Sequence, residues 1–542
     1  MKITPKLNSI KVSIDGGKFV FSASTKFANS QLVRVGDAKH ENGEATKLES
    51  EKPAIEKNFL SDLFLDLSLK TGENNAVCFV LDDTKKDEEY KLNIDKKIEI
   101  SASSRNGFLW GLSSLKQMVF QNLKDGRAEI PFCTICDKPR FSYRGYMLDV
   151  SRHFFGVDTL KKLLNAMWLL KLNVFHLHLS DNQGFRLKID SLPKLHEVGS
   201  IRNQTRGDGK EVKGYYAKED IAEIVRYADE RGIEVIPEID MPGHVVAILA
   251  AYPELSCSGA PIAVGEHFGI VKETLCAGKE SVYEFLFKLL DEVADMFPSK
   301  YIHIGGDEAP KFQWEECEDC KNTAKRNGLR DMEDLQGYFT NRIIDHLKTI
   351  GKTAIVWNES LNSGILDNGA VCQYWQDGKI PRRVFAAADR GRKTIISKFS
   401  PYYLDYPYGM FSLRKTYLFE PLMDGFSTAG VHNILGVESP LWTEYVDSEN
   451  RLFYQTFPRL IAVAESGWSD SGKDFDEFAD RVNFLSGLLS KIGIKGASIK
   501  ESMPNFVKGS LKVVKFFANA FDKELIKSAI NAKKAKETKR TE

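Results

Sequence analysis

The sequence predicts an α/β fold: a (β/α)8 TIM barrel preceded by a smaller N-terminal α+β domain. Eight short apolar runs alternate with helical stretches over residues 141–490, the pattern of a parallel barrel with its helices outside. No Gly-rich phosphate turn follows the first run, which counts against an open doubly wound sheet. At 542 residues the chain exceeds the roughly 250–300 at which one core stops growing, so more than one domain is expected.

Residues 1–140 carry short alternating runs: KVSI, KFVFSAS, AVCFVL, YKLNI and KIEISAS. A period of two predicts half-buried strands. In GFLWGLSSLKQMVFQNL (107–123) apolar residues fall three and four apart, which predicts a helix. Pro131 and Pro139 punctuate a linker. The barrel strands are then read at 144–150, 173–180, 234–240, 301–307, 353–359, 370–375, 394–400 and 434–442. Helices are expected near 158–171, 218–231, 281–297, 332–350, 380–391 and 452–467. Residues 491–542 read as a helical extension ending in the Lys-rich AKKAKETKRTE, a frayed and solvated end.

Composition narrows the function. Lys plus Arg and Asp plus Glu are both 75, so no charge excess points to nucleic acid or an anionic membrane. No apolar run nears the roughly 20 residues of a membrane span. The start MKITPKLNSIKVSIDGG lacks an apolar signal core. It reads as cytoplasmic as given, or secreted if a leader has been removed. Eight Cys are too few for a disulfide scaffold.

Barrel active sites lie at the C-terminal strand ends. Polar and aromatic residues collect there: Asp149 and Arg152; His178, Ser180 and Asp181; Glu238, Asp240 and His244; Asp307 and Glu308; Trp357, Asn358 and Glu359; Tyr374 and Trp375; Tyr403 and Asp405; Trp442 and Glu444. Carboxylates, an Arg and three Trp suit a sugar, whose C–H faces pack on aromatic rings while its hydroxyls bond charged groups. Asp307 and Glu308 are adjacent. Adjacent residues on a strand point to opposite faces, which places them poorly as a nucleophile–acid pair and suits one beneath a substituent and one beside the leaving group. Two close acids should also separate their pKa values, with Glu308 protonated and Asp307 ionised.

HIGGDE (303–308), PEIDMPGH (237–244), HLHLSDNQGFR (176–186), RGYMLDVSRHF (144–154) and GVESPLWTE (436–444) together resemble glycoside hydrolase family 20, the β-N-acetylhexosaminidases. The resemblance covers roughly residues 90–470. It implies an exo-acting enzyme that removes terminal, non-reducing β-linked GlcNAc or GalNAc with retention. The substrate's own acetamido oxygen would attack C1 to give an oxazolinium intermediate. Substrate-assisted families are exceptions to the two-carboxylate rule. On matching positions, Glu308 is the general acid/base, Asp307 its helper, and Asp181 and His244 a relay to Glu308. Tyr403 bonds the acetamido oxygen, and Trp357, Trp375 and Trp442 enclose the sugar. Arg152, Asp405 and Glu444 hold its outer hydroxyls, with His303 counted among the substrate-binding residues. Asn358 and Phe185 depart from the family, which commonly has Asp and Trp there. No cofactor or metal is expected. The partner is a glycan with a terminal N-acetylhexosamine; oligomeric state stays open.

The rival reading is a barrel amidohydrolase whose metal is held by His176, His178, His244, His303 and Asp307. No bridging Lys is evident, and the three Trp would be surplus. A non-catalytic sugar-binding barrel is disfavoured by the intact Asp307–Glu308 pair. Cys133-x-x-Cys136 and Cys317-x-x-Cys320 read as reduced structural cysteines in preference to a zinc knuckle. Cys257 and Cys276 flank an excursion after the third strand and are candidates to pair in an exported protein.

Overall fold

The computed structural model describes residues 2–13, 16–34, 59–60, 63–67, 76–376, 382–470 and 472–520. Both predicted units are present. In the N-terminal unit a six-stranded mixed sheet runs in the order Ser9–Val12, Cys133–Asp137, Tyr90–Ile94, Ile98–Ala102, Ala76–Leu81, Lys26–Arg34. Its helix, Arg105–Gln121, starts where the Ser104 hydroxyl accepts from the Gly107 amide, closing one of the free donors of a first turn. The sheet and barrel are joined by buried ion pairs. Arg144 makes a bidentate contact with Glu88 at 2.7 and 2.9 Å, and Lys171 reaches Asp137 at 2.9 Å. Removing one partner of such a pair costs about 3–5 kcal/mol.

The barrel is closed and all parallel: β1 (Tyr143–Asp149), β2 (Val174–His178), β3 (Glu234–Glu238), β4 (Tyr301–His303), β5 (Thr353–Trp357), β6 (Val371–Tyr374), β7 (Thr394–Ile396) and β8 (Ile434–Leu441). These runs are buried on both faces because a barrel strand is covered by the interior on one side and helices on the other, and the interior side carries the buried polar residues His176, Glu238, His303 and Glu438. Outside, Lys218–Asp229 shows the helical counterpart: Ile221, Ile224 and Ala228, three and four apart, are its buried face.

Two expectations change. The helix near 452–467 is two helices, Glu449–Thr456 and Arg459–Trp468. Pro458 lies between them, with no N–H to continue the ladder. β4 stops at His303, earlier than predicted, so Asp307 and Glu308 belong to a turn and not to a strand. Strand alternation therefore does not govern them, and both face one cleft. Gly305 makes that turn possible. It has φ +64°, and a Cβ there would lie 1.6 Å from an Asp240 carboxylate oxygen. Residues 475–491 and 506–520 are helical, and the Lys-rich tail lies outside the described residues. No described helix is long and apolar enough to cross a membrane.

Candidate active site

The C-terminal strand ends open into a cleft. Ten of the twelve predicted site residues line it: Arg152, Asp181, His244, Asp307, Glu308, Trp375, Tyr403, Asp405, Trp442 and Glu444. His303 and Trp357 do not. Both are fully buried beneath it. The Trp357 indole N–H donates to Glu238 at 2.9 Å, and its ring lies 6.0 Å from that of Trp442. It supports the wall from behind. His303 stacks on His176 at 4.8 Å and lies 3.0 Å from Glu238. With His178 against the other Glu238 oxygen at 2.6 Å and His176 against Glu438 at 3.0 Å, the interior histidines form an imidazole–carboxylate layer below the cleft.

Three lining residues had been given no role: Asp240, which the strand-end reading did place at the barrel mouth, and Phe399 and Tyr406, which it did not. Asp240 was visible within the PEIDMPGH run. Phe399 and Tyr406 flank Tyr403, and proximity in the chain was their one signal. The departing residues have structural work: Asn358 accepts from the Trp375 amide at 3.0 Å, and Phe185 is packed in the core.

Charge is organised from Arg152. Its guanidinium meets Asp181 at 2.7 Å, Asp149 at 3.3 Å and Glu444 at 3.8 Å, and lies over the Trp442 ring at 5.0 Å. Asp181 also meets His178 and His244, each at 3.1 Å. The far nitrogen of His244 stands 3.5 Å from Glu308. The predicted order Asp181, His244, Glu308 is thus a continuous chain of contacts. Burial alone would lower the His244 pKa, but the Asp181 carboxylate outweighs it and holds the imidazole well above its usual range. The Glu308 amide, on a residue with φ +46°, donates to Glu359 at 2.8 Å. That bond braces a left-handed backbone that a non-glycine residue seldom adopts.

The Asp307 carboxyl shifts in the direction opposite to that expected. Burial, and then the Asp240 carboxylate, push it well above the ordinary range. Asp240 is itself raised to about 7, chiefly by burial. Two buried acids cannot both ionise cheaply, so they share protons as a pair. The remaining groups facing Asp307 are His244, which lowers it, and Glu359 and Glu308, which raise it. Asp240→Asn keeps an oxygen for the Gly306 amide, which Asp240 accepts at 3.1 Å, but removes the repulsion. The acidic limb of kcat/KM should therefore move to lower pH. An unmoved limb in a pH–rate profile would exclude this coupling.

Four buried polar atoms in the cleft make no hydrogen bond among the described residues: Asp307 Oδ1, Asp405 Oδ1, Trp375 Nε1 and His244 Nε2, the last with only its 3.5 Å contact to Glu308. Each such orphan costs about 1–3 kcal/mol, and a ligand with matching groups would relieve them. The walls are aromatic. Trp375 stacks on Tyr403 with centroids 5.9 Å apart at 22°, and Tyr403 lies 6.3 Å from Trp442.

Residues 141–471 match the model of the glycosyl hydrolase family 20 catalytic domain, and residues 1–138 match the family's domain 2. A β-hexosaminidase of Porphyromonas gingivalis is 36% identical over 476 residues, 83% of this chain and 60% of that protein. The chain thus spans less than two thirds of that relative's length. Among solved structures, a family 20 exo-β-N-acetylglucosaminidase from Vibrio harveyi, in complex with N-acetylglucosamine, is 28% identical with a TM-score of 0.79. The match covers 92% of this chain and 78% of that one. A β-N-acetylhexosaminidase of Bacteroides fragilis is 30% identical with a TM-score of 0.78, covering 93% and 99%.

Proposed function

This chain belongs to glycosyl hydrolase family 20, and from that premise we propose that it is a glycoside hydrolase removing terminal, non-reducing β-linked GlcNAc or GalNAc by a retaining, substrate-assisted route. The observation that carries the reading is the set of orphaned polar atoms between aromatic walls. Asp307 Oδ1 needs a donor, which an acetamido N–H supplies. Asp405 Oδ1 needs a donor, which a sugar hydroxyl supplies. Trp375 Nε1 needs an acceptor, and the sugar carries several.

The division of labour follows from position. The acetamido oxygen bonds the Tyr403 hydroxyl and attacks C1. As the C1–oxygen bond to the leaving group breaks, Glu308 gives that oxygen its proton. The amide nitrogen becomes positive as the five-membered ring closes. Asp307, buried beside it, acts as the carboxylate that accepts the N–H and faces this charge; the cation draws its raised pKa back down. Water then adds to C1 from the side the leaving group left, with Glu308 taking its proton. Two displacements at C1 give net retention. His244, held charged by Asp181, keeps Glu308 aligned between the steps. Arg152, tied to three carboxylates, closes the end of the cleft, which suits removal of a single terminal sugar.

NMR of the first-formed product from an aryl β-N-acetylglucosaminide should show the β-anomer, and a thiazoline mimic of the cyclised intermediate should inhibit strongly. An α-anomer would overturn retention. Weak thiazoline binding beside tight binding of simple sugar analogues would overturn the role of the substrate amide.

A further inference from the structure

We propose that Cys257, Cys276, Cys317 and Cys320 hold a structural zinc ion that ties the loop after β3 to the loop after β4. The sequence reading took Cys317 and Cys320 as reduced and unliganded, and offered Cys257 and Cys276 as a pair. The fold instead gathers all four: Cys276 Sγ lies 3.6 Å from Cys320 and 3.8 Å from Cys317, and Cys257 Sγ lies 3.9 Å from Cys320. The four sulfurs all lie within 4.8 Å of one another. A zinc–sulfur bond of about 2.3 Å in a tetrahedron sets neighbouring sulfurs about 3.8 Å apart. A disulfide would bring two of them to about 2.05 Å, and no pair is that close. A multi-iron cluster needs its outer thiolates spread further than a single ion does. By contrast Cys133 is buried and Cys136 exposed, as alternation on their strand requires, so that Cys-x-x-Cys spacing makes no site.

The surrounding backbone is built for a closed thiolate centre. The two arms of the β3 excursion pair as a bridge at Ser256 and Leu275, which sets Cys257 beside Cys276. A Cβ on Gly278 would lie 2.2 Å from the Asp319 carbonyl carbon and 2.4 Å from the Cys320 nitrogen, so glycine alone lets the two knuckles meet. Cys317 is the N-cap of the helix Glu318–Arg326 and Cys320 stands in its first turn, where the positive helix end favours thiolates. Cys276 and Cys320 are buried, while Cys257 and Cys317 are half-buried. On binding, each thiol would give up its proton to solvent and enter as thiolate.

The position gives the ion a purpose. Between Cys257 and Cys276 the chain runs over the barrel mouth. There Gly265 donates to the Asn182 carbonyl at 2.9 Å and the His267 carbonyl accepts from Gln183, beside Asp181. Cys317 lies on the segment that leaves Glu308, where Trp314 also bonds the Leu275 carbonyl at 2.9 Å. A zinc at the neck would fix both loops at once.

Elemental analysis of the full chain, purified reduced and without chelator, should find about one zinc per chain. An organomercurial should release it in step with thiol modification. Cys317→Ser with Cys320→Ser should lose the metal and unfold at lower temperature, and Cys136→Ser should keep it. The wild-type measurement needs no variant to fold. The proposal is overturned by zinc-supplemented protein without stoichiometric metal, by coloured protein carrying iron in its place, or by mass spectrometry showing these cysteines in disulfides.

Discussion

Glu308→Gln is expected to lower kcat by about 10²–10⁴-fold on substrates whose leaving group is another sugar. A sugar alkoxide is a poor leaving group, so under the proposed mechanism the step waits on the proton assigned to Glu308. Gln keeps the shape and the 2.8 Å bond from the residue's own amide to Glu359, so folding is not the cause of the loss. An aryl glycoside with an acidic phenol needs no proton to depart. Its first step should survive, leaving hydrolysis of the cyclised intermediate as the slow step, since that still needs a base for water. Azide, a nucleophile that needs no base, should then restore turnover and give a β-glycosyl azide. Equal slowing for both leaving groups, with no azide rescue, would remove Glu308 from the acid/base role.

The barrel was legible because its strands are buried on both faces. YMLD, VFHLH and VIPE read as apolar runs wherever they stand, and ranking their last residues gave the mouth of the barrel in order. Eleven of the residues so found share a cleft. What the sequence hid was set by contacts across the chain. Depth was one: Trp357 and His303 sit at strand ends, but their side chains point into the layer beneath. Turn geometry was another. GGDE looks like the continuation of a strand, and only the closeness of Asp240 to Gly305 shows why the chain must bend there. The upward shift of the Asp307 carboxyl was missed because it comes first from burial and then from Asp240, just beyond β3, with Glu308, its neighbour in sequence, contributing less. The cysteines show the same limit. Their motif spacing was visible, but which pairs meet depends on a bridge between Ser256 and Leu275 that no local pattern announces.

Asp307→Asn separates binding from catalysis. Asn still offers an oxygen to the acetamido N–H, so the Michaelis complex should form with KM little changed. What it lacks is the negative charge opposite the nitrogen that becomes cationic as the ring closes. Charge placed where charge develops, in a site shielded from water, is worth about 10²–10³ in kcat, or about 2.7–4 kcal/mol. The shielding is evident here: Asp307 is buried, its Oδ1 has no partner among the described residues, and its ionised form is already disfavoured. That disfavour is the ground-state strain which a positive nitrogen relieves, so the benefit appears in the transition state and not in substrate binding. The inhibition constant of a thiazoline that binds in its cationic form should therefore rise in proportion to the loss in kcat/KM across Asp307→Asn and Asp307→Ala, while that of a neutral acetamido sugar should not. The acidic limb assigned to the Asp240–Asp307 pair should also vanish from the Asp307→Asn profile. If the two inhibitors weakened together, Asp307 would be holding the substrate and not its transition state, and the stabilisation of the oxazolinium ion would have to come from another group.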